Sequence, residues 1–314
     1  MDIYEQAIRY FSGIPGAKAW EEMQALFRRI ASARPYHWAL PVQACEAAGG
    51  APGQAVPAVT AIGCAHISII LVDDMLDLDP RGEYRRIGAP AAANLACAFQ
   101  SAGLEALVRG DGEPAARSVA AAGFNRMFLA TALGQFLDVQ CPGDEDAYWR
   151  MVRAKSSPFF GAALQLGAVL GGAPDEAAAK LEEIGRLYGE MIQIHDDLSD
   201  TLSIPANPDW LQGRAPLPIL FAQVVDHPDR SRFLDLRREA ADEDALREAQ
   251  EILIRCGAVS YCVDQLIRRH RAAREILQSA GLARPELVEK LLEKVIEPVW
   301  KLFEGIEASP AQAG

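Results

Sequence analysis

The stretch Ala61-Ile62-Gly63-Cys64-Ala65-His66-Ile67-Ser68-Ile69-Ile70-Leu71-Val72-Asp73-Asp74-Met75-Leu76-Asp77 decides the fold. Its apolar run, broken by one histidine, reads as a buried helix. That helix ends in Asp-Asp-x-x-Asp, whose first and last carboxylates stand four residues apart and share one face. The same signature returns at Asp196-Asp197-Leu198-Ser199-Asp200, behind the apolar residues Ile192 and Ile194. Crowded carboxylates repel, and a hard divalent cation with oxygen ligands is the usual remedy. A single acidic cluster is more often a solvated face. Two with identical spacing, each at the end of a core-like helix, predict facing carboxylate sets. Mg²⁺ is held by one or two carboxylates plus substrate phosphates, so the pair predicts a diphosphate bridged through metal.

The remaining periodicity is helical, with no alternating β-branched run bounded by turns. Turn-forming residues cluster at 110–114, 141–144, 171–175, 203–218, 226–229 and 281–285. Asp144 and Asp175 each precede a long periodic run and read as helix starts. No segment has linker composition, and no short-period repeat is present. The expectation is one all-α domain over residues 1–314, a helical bundle whose central cavity holds side chains from facing helices.

A hydrophobic content of 50% over 314 residues supplies a full core. The net charge of −12 argues against nucleic acid as a partner, because an acidic surface repels a phosphate backbone. It also gives weight to the few basic residues near the acidic motifs as local phosphate ligands. Cys45, Cys64, Cys97, Cys141, Cys256 and Cys262 form no Cys-x-x-Cys and no paired spacing. They read as reduced residues of a cytoplasmic protein. The opening Met-Asp-Ile-Tyr-Glu shows no basic segment before an apolar run, so no signal peptide is expected. The run Ala61 to Val72 is too short to span a bilayer, and stable membrane insertion is not expected. A greasy product leaves peripheral contact open.

From Arg34 to about Ala222 the chain resembles the polyprenyl synthetases, the trans-isoprenyl diphosphate synthases of the class I terpenoid fold. The resemblance rests on the paired Asp motifs and on Gly189-x-x-x-Gln193-x-x-Asp196-Asp197, Gly134-Gln135-Phe136-Leu137-Asp138, and Lys155-Ser156. It also rests on Arg85-Arg86 followed by Gly88 and Pro90, with extra residues ahead of them. It implies that Asp73, Asp74, Asp77, Asp196, Asp197 and Asp200 hold Mg²⁺ against an allylic diphosphate, with Lys155 as a catalytic cation. Gln193, Arg85 and Arg86 are implied to contact substrate. The chemistry agrees with that placement. Ionising an allylic diphosphate separates a carbocation from a charged leaving group, so metal, Lys and Arg must meet the phosphates while an apolar wall surrounds the cation.

The chain departs from the family on the acceptor side. The family's Gly-Gly-Lys-x-x-Arg-Pro reads Arg29-Ile30-Ala31-Ser32-Ala33-Arg34-Pro35 here, with Arg34 retained and the lysine replaced by Ala31. His66 matches the family's acceptor-site histidine, although a lone histidine in an apolar helix is more often a core residue. Past the second motif, residues 201–208 contain no lysine, leaving Asp209 and Gly213-Arg214 as remnants of the closing loop.

These features favour a prenyltransferase that condenses an allylic prenyl diphosphate with isopentenyl diphosphate. The alternative is a terpene synthase that resolves the cation by elimination, cyclisation or water capture. A non-catalytic subunit is disfavoured because all six aspartates are intact. In this family the residues just before the first motif line the tail pocket. Ser68 and Ile69 are not a bulky aromatic pair, so a long tail fits unless Phe99 closes the floor. The resemblance also implies a homodimer, with the small-residue segments Ala91 to Ala106 and Ala115 to Ala132 available for close packing.

Overall fold

A computed structural model of the chain describes residues 2–140 and 143–307, with side chains through residue 301. Cys141 and the turn residue Pro142 lie outside the described residues. The N-terminal helices are α1 (Ile3–Ser12), α2 (Pro15–Lys18), α3 (Glu21–Ser32) and α4 (Leu40–Ala47). The central ones are α5 (Val56–Leu76), α6 (Glu83–Ile87), α7 (Ala89–Val108), α8 (Pro114–Val139), α9 (Glu145–Lys155), α10 (Ser157–Leu170) and α11 (Asp175–Thr201). The C-terminal ones are α12 (Pro208–Gln212), α13 (Leu217–Val224), α14 (Arg230–Arg238), α15 (Glu243–Arg255), α16 (Ala258–Gln278) and α17 (Glu286–Glu307). No strand occurs among the described residues, as the periodicity predicted.

Two helices form the centre because they are apolar on every face, which leaves them no side to turn to water. α5 is buried without a break from Val56 to Ala65, and α10 from Ser157 to Leu170. α7 runs along α5, while α4, α8 and α11 surround α10 and α16 covers α11. On the α1 side Phe11 stacks between Phe27 and Phe99, with ring centroids 4.1 and 5.8 Å away. Each ring buried this way contributes roughly 1.5–3 kcal/mol. A smaller cluster around Trp210, Phe233, Leu246 and Leu253 joins α12, α14 and α15.

The apolar run on α5 is longer than the sequence reading allowed, because it extends back past Ala61. The segment Pro52–Leu76, like Ala89–Val108, is long and apolar enough to cross a membrane, yet 72% of the Pro52–Leu76 window is buried inside the protein. It is a core helix by position. Asp144 caps α9 as expected, accepting a hydrogen bond from the Ala147 N–H at 2.8 Å. Asp175 also stands at its expected start, as the first helical residue of α11, with Pro174 at the cap position.

The site is placed by direction. α5, α8, α9 and α11 each bring a C-terminal end, with Asp77, Asp138, Lys155 and Asp200, to the mouth of one cavity. Helix C-termini carry partial negative charge, so this mouth attracts cations before any side chain is counted.

Candidate active site

The cavity has a volume of about 540 Å³. On its α5 wall, the four-residue spacing puts Asp73 and Asp77 on one face, and α8 brings Asp138 to them. Ligand oxygens of these three carboxylates lie within 4.8 Å of one another. Lys155, the last residue of α9, is set between two of them, with Nζ 3.0 Å from Asp73 Oδ1 and 2.6 Å from Asp138 Oδ2. Burial alone would lower this lysine; Asp73 and Asp138 together raise it above its ordinary value, so it stays charged. Arg214 reaches across from the segment before α13 and donates from Nη2 to Asp77 Oδ1 at 2.6 Å. Its Nη1 lies 4.0 Å from Asp209.

The approach of α8 to α9 depends on Gly134. A Cβ built there would stand 2.1 Å from the Lys155 backbone nitrogen. The two main chains therefore touch at Gly134, and the Asp138–Lys155 contact follows from that crossing.

The second motif is organised differently. Asp197 is only 7% exposed. Its Oδ2 accepts from the Tyr148 hydroxyl at 2.6 Å and from the Leu217 N–H at 2.8 Å, and its Oδ1 from Gln193 Nε2 at 2.8 Å. Gln193 Oε1 in turn accepts from the Ser156 hydroxyl at 2.6 Å. Burial pushes the Asp197 carboxyl up to about 6, and its three donors restrain that rise. Asp196 is also pushed up to about 6, by burial and then by Asp200. Its surface is open to solvent, which weakens the effect there. Asp74 lies about 100° around α5 from Asp73. It is raised first by burial, then by Asp79 and Asp73. Of the second motif, Asp197 and Asp200 line the cavity; three residues apart, they share a face of α11.

The acceptor-side residues are drawn elsewhere. Arg34 has a left-handed backbone, pairs with Asp2 at 3.0 Å and lies over the Tyr4 ring. Arg86 is bonded to Glu83, which also takes Arg29 at 2.6 Å. Arg85 donates to the Leu78 carbonyl at 3.3 Å. Arg81, paired with Asp79, reaches the cavity lining in their stead. Ala31 is 1% exposed within the core, so position 31 has no room for a solvated lysine. His66 lies in an aromatic cluster with His37, Trp38 and Phe159. Ser68 donates to the Ala96 carbonyl of α7 at 2.9 Å, Ile69 packs beside the core, and Phe99 is fully buried.

Asp138 sits in the matched Gly-Gln-x-x-Asp segment, yet no spacing marks it as a ligand. Tyr148 and Arg81 belong to none of the motifs. The one available signal for Tyr148 is its position seven residues before Lys155, two turns back on the same face.

The polyprenyl synthetase family model matches residues 25–253. The chain belongs to the polyprenyl synthetase family. It is 31% identical over 250 residues to the short chain isoprenyl diphosphate synthase of Methanothermobacter thermautotrophicus, covering 74% of this chain and 76% of that protein. It is 28% identical over 237 residues to the geranylgeranyl diphosphate synthase of Methanosarcina mazei, covering 70% and 71%. The solved geranylgeranyl pyrophosphate synthetase of Pyrococcus horikoshii superposes with a TM-score of 0.80 at 22% identity over 94% of both chains. That likeness shows the all-α isoprenoid synthase fold. As a polyprenyl synthetase the chain is a prenyltransferase, and the carboxylate mouth lies where facing helices of such a bundle meet.

Proposed function

We propose that the chain is an Mg²⁺-dependent trans-isoprenyl diphosphate synthase, joining an allylic prenyl diphosphate to isopentenyl diphosphate. The observation that carries this is Lys155 held between Asp73 and Asp138 while Arg214 holds Asp77. Three carboxylates with hard oxygen donors fit Mg²⁺, which takes few protein ligands and completes its shell with water and phosphate. Asp73, Asp77 and Asp138 would hold it, with Asp200 lining the same cavity from α11. When bound, the metal supplies Lewis-acid neutralisation of the diphosphate charge.

The residues do the rest. Lys155 and Arg214 are already charged at the mouth and turn from carboxylates to phosphate oxygens as the allylic diphosphate enters. The C–O bond then breaks with its electron pair leaving on diphosphate, and those cations stabilise the departing charge. The π pair of isopentenyl diphosphate forms the new C–C bond to the allylic carbon, and a proton passes from the adduct to the released diphosphate, restoring a double bond. Asp197 keeps Tyr148, Gln193 and the start of α13 in register around this end of the cleft. The names of the relatives lend no support to a terpene synthase.

The test is incubation of purified protein with Mg²⁺, each allylic diphosphate and labelled isopentenyl diphosphate. About one label incorporated per diphosphate released is expected for the first addition. Release of diphosphate with no label in the product overturns the reading.

The same reading includes a homodimer in the cytoplasm. α8 exposes Leu129 (77%), Leu133 (54%) and Phe136 (63%) along one stripe, beside the small residues exposed on α7. Such a patch is suited to burial against a second copy. Cys45, Cys64, Cys97, Cys256 and Cys262 are free thiols, in keeping with a reducing compartment. Sedimentation should give twice the chain mass, and Leu129→Glu should shift it to the monomer.

A further inference from the structure

Trp38 lies in the short turn Tyr36–Ala39 that follows α3. It is fully buried, with ring centroids 5.1 Å from Phe27 and 6.4 Å from Tyr4. Gly63 of α5 faces it. A Cβ there would stand 2.9 Å from indole ring atoms, so only glycine lets the indole rest on α5. From that seat the indole Nε1–H donates to His66 Nδ1 at 3.2 Å.

An indole nitrogen can only donate, so Nδ1 must be the accepting nitrogen and the proton of the neutral ring sits on Nε2. Burial keeps the ring neutral, lowering His66 to about 4. His37, edge-on to it at 4.2 Å, is lowered to about 3, first by burial and then by His66, and so adds no charge. Among the described residues none takes the Nε2–H. His66 precedes Asp73 by seven residues, placing it on the same face of α5, about 10 Å deeper in the bundle.

We propose that Trp38 is a positioning residue that fixes His66 as its Nε2–H tautomer, so that His66 gives one hydrogen bond to a diphosphate oxygen of the acceptor substrate. This rests on the prenyltransferase reading above, with His66 at the position that matches the family's acceptor-site histidine. With Ala31 in the core and Arg34 held by Asp2, the acceptor is oriented by a neutral donor whose direction a clamped indole sets.

Spectra of ¹⁵N-histidine-labelled protein at neutral pH should show a His66 ring with unprotonated Nδ1 and protonated Nε2. The reverse tautomer, or exchange between the two, overturns the proposal. In steady-state kinetics His66→Leu should raise KM for isopentenyl diphosphate about tenfold, the worth of one such hydrogen bond, with kcat less affected. His66→Gln, whose amide N–H donates without help from Trp38, should restore most of that loss.

Trp38→Phe should raise the same KM in the native background and leave it unmoved when added to His66→Gln. An equal rise in both backgrounds would assign Trp38 a purely structural role and sink the idea. If Trp38→Phe fails to fold, the spectra and the two His66 variants decide. Incorporation of isopentenyl diphosphate with an unchanged KM in His66→Leu overturns this proposal alone. No incorporation by the native enzyme overturns the prenyltransferase reading with it.

Discussion

On the wall built by α5, α8, α9 and the segment before α13, the cations face inward. Lys155 spans Asp73 and Asp138, and Arg214 meets Asp77. On the wall built by residues 29–38 and α6, the cations face outward. Arg34 goes to Asp2, and Arg29 and Arg86 share Glu83. What packs against His66 of α5 there is uncharged: His37 and Trp38. The difference teaches that charge count alone does not make a phosphate site. A paired cation at the mouth can exchange one anion for another with little desolvation cost, whereas one tied to an outer carboxylate must first abandon its partner. On the proposed reading the inner wall would take the diphosphate that leaves, and the outer one a substrate held by shape and single hydrogen bonds.

The largest expected effect separates the two walls directly. Asp73→Ala or Asp138→Ala should lower turnover by about 10²–10³, through lost charge stabilisation at the leaving group, with the fold intact by circular dichroism. Arg34→Ala should lower it less than about threefold, the scale of an exposed ion pair. Equal losses in both sets, read in the same steady-state assay, would break the contrast.

The next effect is on stability. Adding the missing acceptor-side lysine as Ala31→Lys places an ammonium in a core position, and urea denaturation should show a loss of about 2–4 kcal/mol. A gain in isopentenyl diphosphate affinity at unchanged stability would mean that the outer wall can be recharged.

The smallest effect is a pH dependence of the inner wall. Asp197 titrates in the fold at about 6 because burial penalises its charge, against about 3.9 in an unfolded chain. The folded state therefore binds the proton more tightly. The stability from that proton is complete below about pH 4 and is lost as pH rises through about 6. Metal-free protein should gain melting temperature between pH 7 and pH 5, and Asp197→Asn should lack that part of the gain. An identical profile in both proteins would show that the three hydrogen bonds fully compensate the burial.

Helix class and the Asp73–Asp77 pair were legible because both follow from spacing along one helix. The partners of Asp197 were not legible, because Tyr148 and Leu217 come from other helices. Asp138 beside Lys155 was not legible from spacing, because it depends on how closely two helices cross. The acceptor wall was not legible for a related reason. Arg34 and Arg86 stand at matching positions, but Asp2 and Glu83, which lie in no motif, decide where those side chains go. Likewise the tautomer of His66 depends on Trp38, twenty-eight residues away in sequence, and on a glycine one turn before it on α5.

The touching main chains at Gly134 give the molecule one dimension set by backbone rather than by side chains. The family resemblance implies a tail pocket beside Ser68 and Ile69, which larger or smaller side chains on α5 would shorten or lengthen. The spacing of α8 and α9 does not follow, because no side chain lies between them there. On the proposed reading, tail room could therefore change by substitution while the crossing at Gly134 keeps its gauge.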